Sequence, residues 1–94
     1  MGDNHFTIRL AARNEGIKYE DETGVYRFRV ELVDRTWTLY LPGSKGPEYE
    51  RHELSDGEEA RILPRITQFL GKIWYFGFFP RKYDVLVERT APKA

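Results

Sequence analysis

The chain has no cysteine. Disulfides, thiol nucleophiles and thiolate metal sites are therefore excluded, and the pattern fits a reducing compartment. Net charge is missing as well, because fifteen basic and fifteen acidic side chains cancel. No long-range field gathers nucleic acid or an anionic membrane, so any electrostatic role has to rest on a local patch. Long hydrophobic runs are also absent: the longest, Ile73 to Phe79, is too short to span a bilayer. The opening "MGDNHF" carries no basic-then-apolar leader, and Phe6 stands where a myristoylation signal needs Ser or Thr. A cytoplasmic location with no membrane partner is the expectation.

Catalytic patterns are equally scarce. Ser44 and Ser55 lack the strained G-x-S-x-G setting that activates a serine, and "GSKG" lacks the strand–loop–helix context of a phosphate loop. "EYERHEL" gathers Glu48, Glu50, His52 and Glu53, residue types that ligate metals, but there is no H-E-x-x-H and His5 is remote. That stretch reads as a solvated acidic loop. No enzyme activity, metal or cofactor is expected.

What the sequence does contain is alternation. Its 94 residues make a single domain, with an ordered core over about residues 5–89 and mobile tails at 1–4 and "TAPKA". Phe6, Ile8 and Leu10 alternate with polar or small residues, and Ile17 and Tyr19 continue the pattern. In the next run Tyr26, Phe28, Val30 and Leu32 point one way, and Arg27, Arg29 and Glu31 the other. Trp37, Leu39 and Leu41 then alternate with Thr36, Thr38 and Tyr40.

Antiparallel pairing fixes the register. Leu32 opposite Trp37, Val30 opposite Leu39 and Phe28 opposite Leu41 place all apolar pairs on one face. A four-residue loop from Val33 to Thr36 serves this register, since a two-residue turn would ask Arg35 for a positive φ. Tyr19 opposite Tyr26 and Ile17 opposite Phe28 follow around "DETG", where Gly24 supplies the turn. The first 41 residues thus read as a four-stranded meander, apolar on one face. Pro42, Gly43, Gly46 and Pro47 are expected to end its last strand, and "SKGPEYERHEL" to be a loop with room for a short edge strand.

"SDGEEARILPRITQFLG" changes period. Ser55 with Glu58 matches a capping box, acidic residues crowd the first turn, and Ile62, Leu63, Ile66, Phe69 and Leu70 make one stripe that Gly71 closes. Pro64 conflicts with this, because an interior proline costs about 3 kcal/mol. A kink or break near Leu63 is expected.

"KIWYFGFFPRKY" holds six aromatic residues. Around the turn "FPRK", Phe78 pairs with Tyr83, Phe76 with Val85 and Trp74 with Val87. One face of this C-terminal hairpin is wholly apolar, so Trp74, Phe76 and Phe78 are expected in the core against the helix. An RNA-recognition motif would need its two aromatics exposed, and Trp74 and Tyr75 replace its basic residue and glycine. The fold expected is α+β: an antiparallel sheet made of a four-stranded meander, then one helix, then the hairpin, with the helix packed on one sheet face.

One helix cannot cover both faces. The other face carries Arg9, Lys18, Arg27, Arg29 and Tyr40, extended by Tyr75, and Lys18 lies opposite Arg27. Facing like charges are unfavourable on a sheet, and an anionic partner would relieve them. Long side chains splayed into water, neutralised by Glu20 and Glu31, would also do so. These residues are the candidate binding set, for a protein partner or for self-association through this face ahead of nucleic acid.

The run "GIKYED", "YRFRVEL", "LSDGEEARILPRI" resembles the strand–strand–helix order of small bacterial immunity proteins of polymorphic-toxin systems, over about two-thirds of the chain. The aromatic hairpin and Pro64 depart from that pattern. The resemblance implies a cytoplasmic toxin-neutralising binder without catalytic residues.

Overall fold

Period-two alternation becomes a continuous antiparallel meander in the computed structural model, which describes residues 5–11, 16–72 and 83–89. Strands β1 (Phe6–Leu10), β2 (Gly16–Asp21), β3 (Gly24–Val33) and β4 (Thr36–Lys45) pair in chain order. Tyr19 faces Tyr26 and Ile17 faces Phe28, while Val30 faces Leu39 and Leu32 faces Trp37. The registers follow from burial: Ile17, Tyr19, Tyr26, Phe28, Val30, Trp37, Leu39 and Leu41 are all buried on one face.

Three local features differ from the sequence reading. The β3–β4 connection is a two-residue turn, with Val33 paired to Thr36. The positive φ, 57°, falls on Asp34 instead of Arg35, and Asp tolerates the left-handed region better than most residues. Pro42 and Gly43 do not end β4. The pairing shifts between Arg29–Tyr40 and Arg27–Ser44, so Leu41, Pro42 and Gly43 all lie opposite Phe28. The bulge absorbs the residues that cannot continue a regular ladder. The Leu41–Pro42 peptide is cis. Beyond it the strand resumes to Lys45 and takes β5 (Glu50–His52) as an antiparallel neighbour.

Helix α1 (Asp56–Gly71) lies on the apolar face, burying Ile62, Ile66 and Leu70. Each such side chain contributes about 1.5–3 kcal/mol when fully buried. The capping box forms: Glu58 N donates to Ser55 Oγ at 3.1 Å and Ser55 N to Glu58 Oε1 at 2.8 Å. The helix runs without a break through Pro64, contrary to the expected interruption near Leu63. Pro64 and Ala60 are both exposed, so the Ala60 carbonyl that loses its helical donor faces solvent and can be hydrated. Pro64→Ala should restore that hydrogen bond. An increase in stability of about 1–2 kcal/mol is expected from a denaturant melt.

Strand β6 (Asp84–Arg89) returns beside β4, but parallel to it, with Trp37 opposite Val85 and Leu39 opposite Val87. The second edge of β4 is therefore shared. Strand β6 occupies it from Thr36 to Leu41 and β5 from Gly43 to Lys45. The C-terminal strand of the expected hairpin is present. Its first strand, with Trp74, Tyr75, Phe76 and Phe78, lies outside the described residues, as do the two tails. Among the described residues, no helix is long and apolar enough to cross a membrane.

Candidate interaction face

Two polar constellations flank the core, one on each side of the sheet. The first fastens α1 to the β2–β3 end of the sheet. Asp21 has a side chain only 1% exposed. Its Oδ1 accepts from Thr23 N at 2.8 Å, and its Oδ2 from the Tyr19 hydroxyl at 2.6 Å and Arg61 Nε at 3.0 Å. Burial opposes its ionisation, but the hydrogen bonds from Thr23, Tyr19 and Arg61 outweigh it and hold the carboxyl well below the usual range. Burial, together with the bond to Asp21, pushes the Tyr19 phenol up. One turn along the helix Arg65 donates to Tyr19 at 2.6 Å and lies 4.4 Å over the Phe6 ring.

Glu58 repeats the arrangement towards β5. It accepts from Tyr26 at 2.8 Å and contacts His52 at 2.9 Å, with Lys45 at 3.6 Å. Burial again opposes ionisation, and the Ser55 backbone, Tyr26 and His52 lower its pKa to about 2. His52 is thus part of a structural cluster, and no group of three or more metal-ligating side chains occurs among the described residues. Every strong donor in these clusters already has an acceptor, which suits a fastening and leaves little for a ligand.

The second constellation lies on the face that α1 leaves open. Strand pairing aligns Arg9 with Lys18, Lys18 with Arg27, Arg27 with Ser44 and Ser44 with Arg51. These five residues form one row perpendicular to the strands, and four of them are cationic. The bulge makes this possible: it adds two residues to β4, an even number that keeps Ser44 on the same face as Tyr40. Arg27 sits 4.1 Å over the Tyr49 ring, and Arg29 sits 5.1 Å over Tyr40. The Tyr40 hydroxyl donates to Glu31 at 2.7 Å, and that bond pushes its phenol up. Arg51 contacts Glu53 at 3.3 Å.

Among the described residues no ion pair engages Arg9, Lys18, Arg27 or Arg29. Glu20 and Glu31 lie on the same face but do not neutralise the row by direct contact. Leu86 and Val33, 55% and 59% exposed, stand towards the opposite end of the sheet, with Leu86 beside Thr38 and Val33 beside Thr36.

The structure thus brings together Arg9, Lys18, Arg27, Arg29 and Tyr40, while Tyr75 lies outside the described residues. Sequence reasoning missed Ser44, Tyr49 and Arg51, because it ended β4 before the bulge. It also missed Asp21. The available signal was Arg61 and Arg65, spaced one helical turn apart beside the apolar stripe. No protein-family model, curated protein or solved structure matches the chain.

Proposed function

We propose that this chain is a small non-catalytic interaction domain whose open sheet face binds an acidic protein surface. The observation that carries the reading is the row Arg9–Lys18–Arg27–Ser44–Arg51. Adjacent like charges at cross-strand spacing repel, and a sheet that keeps them there gains when carboxylates arrive. Arginine and tyrosine together also match the residue types that anchor interfaces. The resemblance to immunity-type proteins points the same way, to a binder.

A protein partner is favoured over nucleic acid by what surrounds the row. Glu20, Glu31, Asp84 and Glu88 occupy neighbouring positions of the same face. A continuous phosphate backbone would meet these acids, whereas a protein surface can place its charges selectively.

The test is capture of the partner from native lysate, then titration with purified components. The double variant Arg27→Glu, Arg29→Glu should fold, since Arg29 is exposed, Arg27 is half-buried on the open face, and neither side chain belongs to the core. It should bind at least tenfold more weakly. Full affinity in a folded double variant would remove this face from consideration. A nucleic acid partner would instead be lost from the captured material on nuclease treatment.

A further inference from the structure

The spacing of the basic row carries a narrower conclusion about the partner, one that rests on the acidic-surface reading above. Neighbouring strands lie ~4.8 Å apart. Arg9, Lys18 and Arg27 sit on three successive strands, so the three positions span ~9.6 Å along a line across the sheet. Ser44 leaves one uncharged step, and Arg51 follows on the fifth strand, ~19 Å from Arg9 at the same spacing.

Different partner architectures present carboxylates at different intervals. An extended strand shows same-face side chains every ~6.8 Å, so three of them span ~13.6 Å and overshoot the basic triplet by ~4 Å. An α-helix rises ~1.5 Å per residue, and positions i, i+4 and i+7 lie on one stripe at heights of ~0, ~6 and ~10.5 Å. The mismatch over the triplet is then ~1 Å. Continuing the stripe, i+11 falls near Ser44 at ~16.5 Å and i+14 near Arg51 at ~21 Å. A facing β-sheet shares the interstrand interval, but each of its carboxylates would have to come from a different strand, whereas a helix supplies the whole stripe from one contiguous segment.

We infer that the open face receives an α-helix lying across the strands, with acidic residues at i, i+4, i+7 and i+14 and a small or neutral residue at i+11. Stacking of Arg27 on Tyr49 and of Arg29 on Tyr40 holds two guanidinium groups against aromatic rings at the face. That limits the side-chain entropy lost on docking. Arg9 sits on β1, at the end of the strand order among the described residues.

Three fluorescent peptides of equal length and equal glutamate count test this. One carries glutamates at i, i+4, i+7 and i+14 on an alanine-rich helix. The second has the same glutamates scattered around an equally helical sequence, matched by circular dichroism. The third alternates glutamate with threonine and valine to favour an extended chain. Anisotropy titrations at low and moderate salt should show the striped helix binding at least tenfold tighter than the other two. Lys18→Glu should abolish the preference, and Arg9→Glu, on β1, provides a second variant if the first folds poorly.

Equal binding of all three peptides, lost with Lys18→Glu, overturns the helix while leaving the acidic-surface reading in place. Tighter binding of the extended peptide does the same. Absence of binding to any of the three overturns the helix. The arginine double variant then decides the broader reading separately.

Discussion

Asp21→Ala should lose about 3 kcal/mol of stability, an effect typical of removing one partner from a buried charge cluster with partly exposed cations. The carboxylate is the one acceptor shared by the Thr23 backbone, the Tyr19 hydroxyl and Arg61. Its removal leaves Tyr19 with Arg65 alone, a donor meeting a hydroxyl. Arg61 would keep only Thr23 at 2.9 Å, and Tyr26 at the 3.5 Å limit. The helix would still be held by Ile62, Ile66 and Leu70, so the expected result is a cooperative melt at lower denaturant and not loss of fold. Asp21→Asn provides the graded comparison. It keeps an oxygen for Thr23 but offers no charge to Arg61, and an intermediate loss of about 1–2 kcal/mol is expected.

The pH dependence separates charge from shape. Asp21 and Glu58 both have folded-state pKa values below their unfolded ones. The folded protein therefore binds fewer protons than the unfolded chain at acid pH, and stability falls as pH falls. Their contribution is fully present above about pH 5 and drains progressively towards pH 2. The gap in stability between wild type and Asp21→Asn should accordingly narrow from pH 7 to about pH 2.5. A gap that stayed constant over that range would mean that the ionised carboxylate is not its source.

How far the fold was legible depended on the distance over which each choice was decided. Strands β2 and β3 could be paired residue by residue, because a turn of two residues fixes their register and a one-residue slip would turn the apolar side chains of one strand away from the core. The helix announced itself through Ser55 and Glu58, a local capping pattern. The parallel pairing of β6 with β4 had no such local mark. Val85 and Val87 alternate in a way that suits either orientation, and the chain passes through β5 and α1 before returning. The break expected at Pro64 does not occur, for a related reason. Its penalty was read from the backbone alone, whereas the exposed Ala60 carbonyl is open to solvent.

The candidate face was half legible on the same grounds. Arg9, Lys18, Arg27 and Arg29 follow from alternation, so their shared side was readable. Arg51 and Tyr49 join them only because β4 survives Pro42 and Gly43 and carries β5 with it. The Asp21–Arg61 contact joins residues forty positions apart, and no periodicity encodes it.

Gly43→Ala should cost about 2–3 kcal/mol, the upper range for forcing an extra methyl group into packed surroundings. A β-carbon at position 43 would overlap the carbonyl oxygen of Arg27 and the ring edge of Phe28. Neither can retreat. The carbonyl belongs to the paired backbone of β3, and Phe28 is 3% exposed with its ring stacked beside Tyr26 at 6.5 Å. The crowding arises because Leu41, Pro42 and Gly43 pass a single residue of β3, and glycine lets the backbone come this close. Relief would require lifting the tip of β4, with Ser44 and Lys45, away from β3. Strand β5 pairs with that same tip, so Arg51 would leave the basic row together with Ser44. The substitution should therefore weaken binding at the open face as well as stability. Ser44→Ala, which leaves the close approach untouched, should do neither to a comparable extent. Denaturant melts of the two variants, paired with titration of the striped peptide, provide the measurement. A Gly43→Ala protein within about 0.5 kcal/mol of wild type would show that the tip of β4 does not depend on this contact.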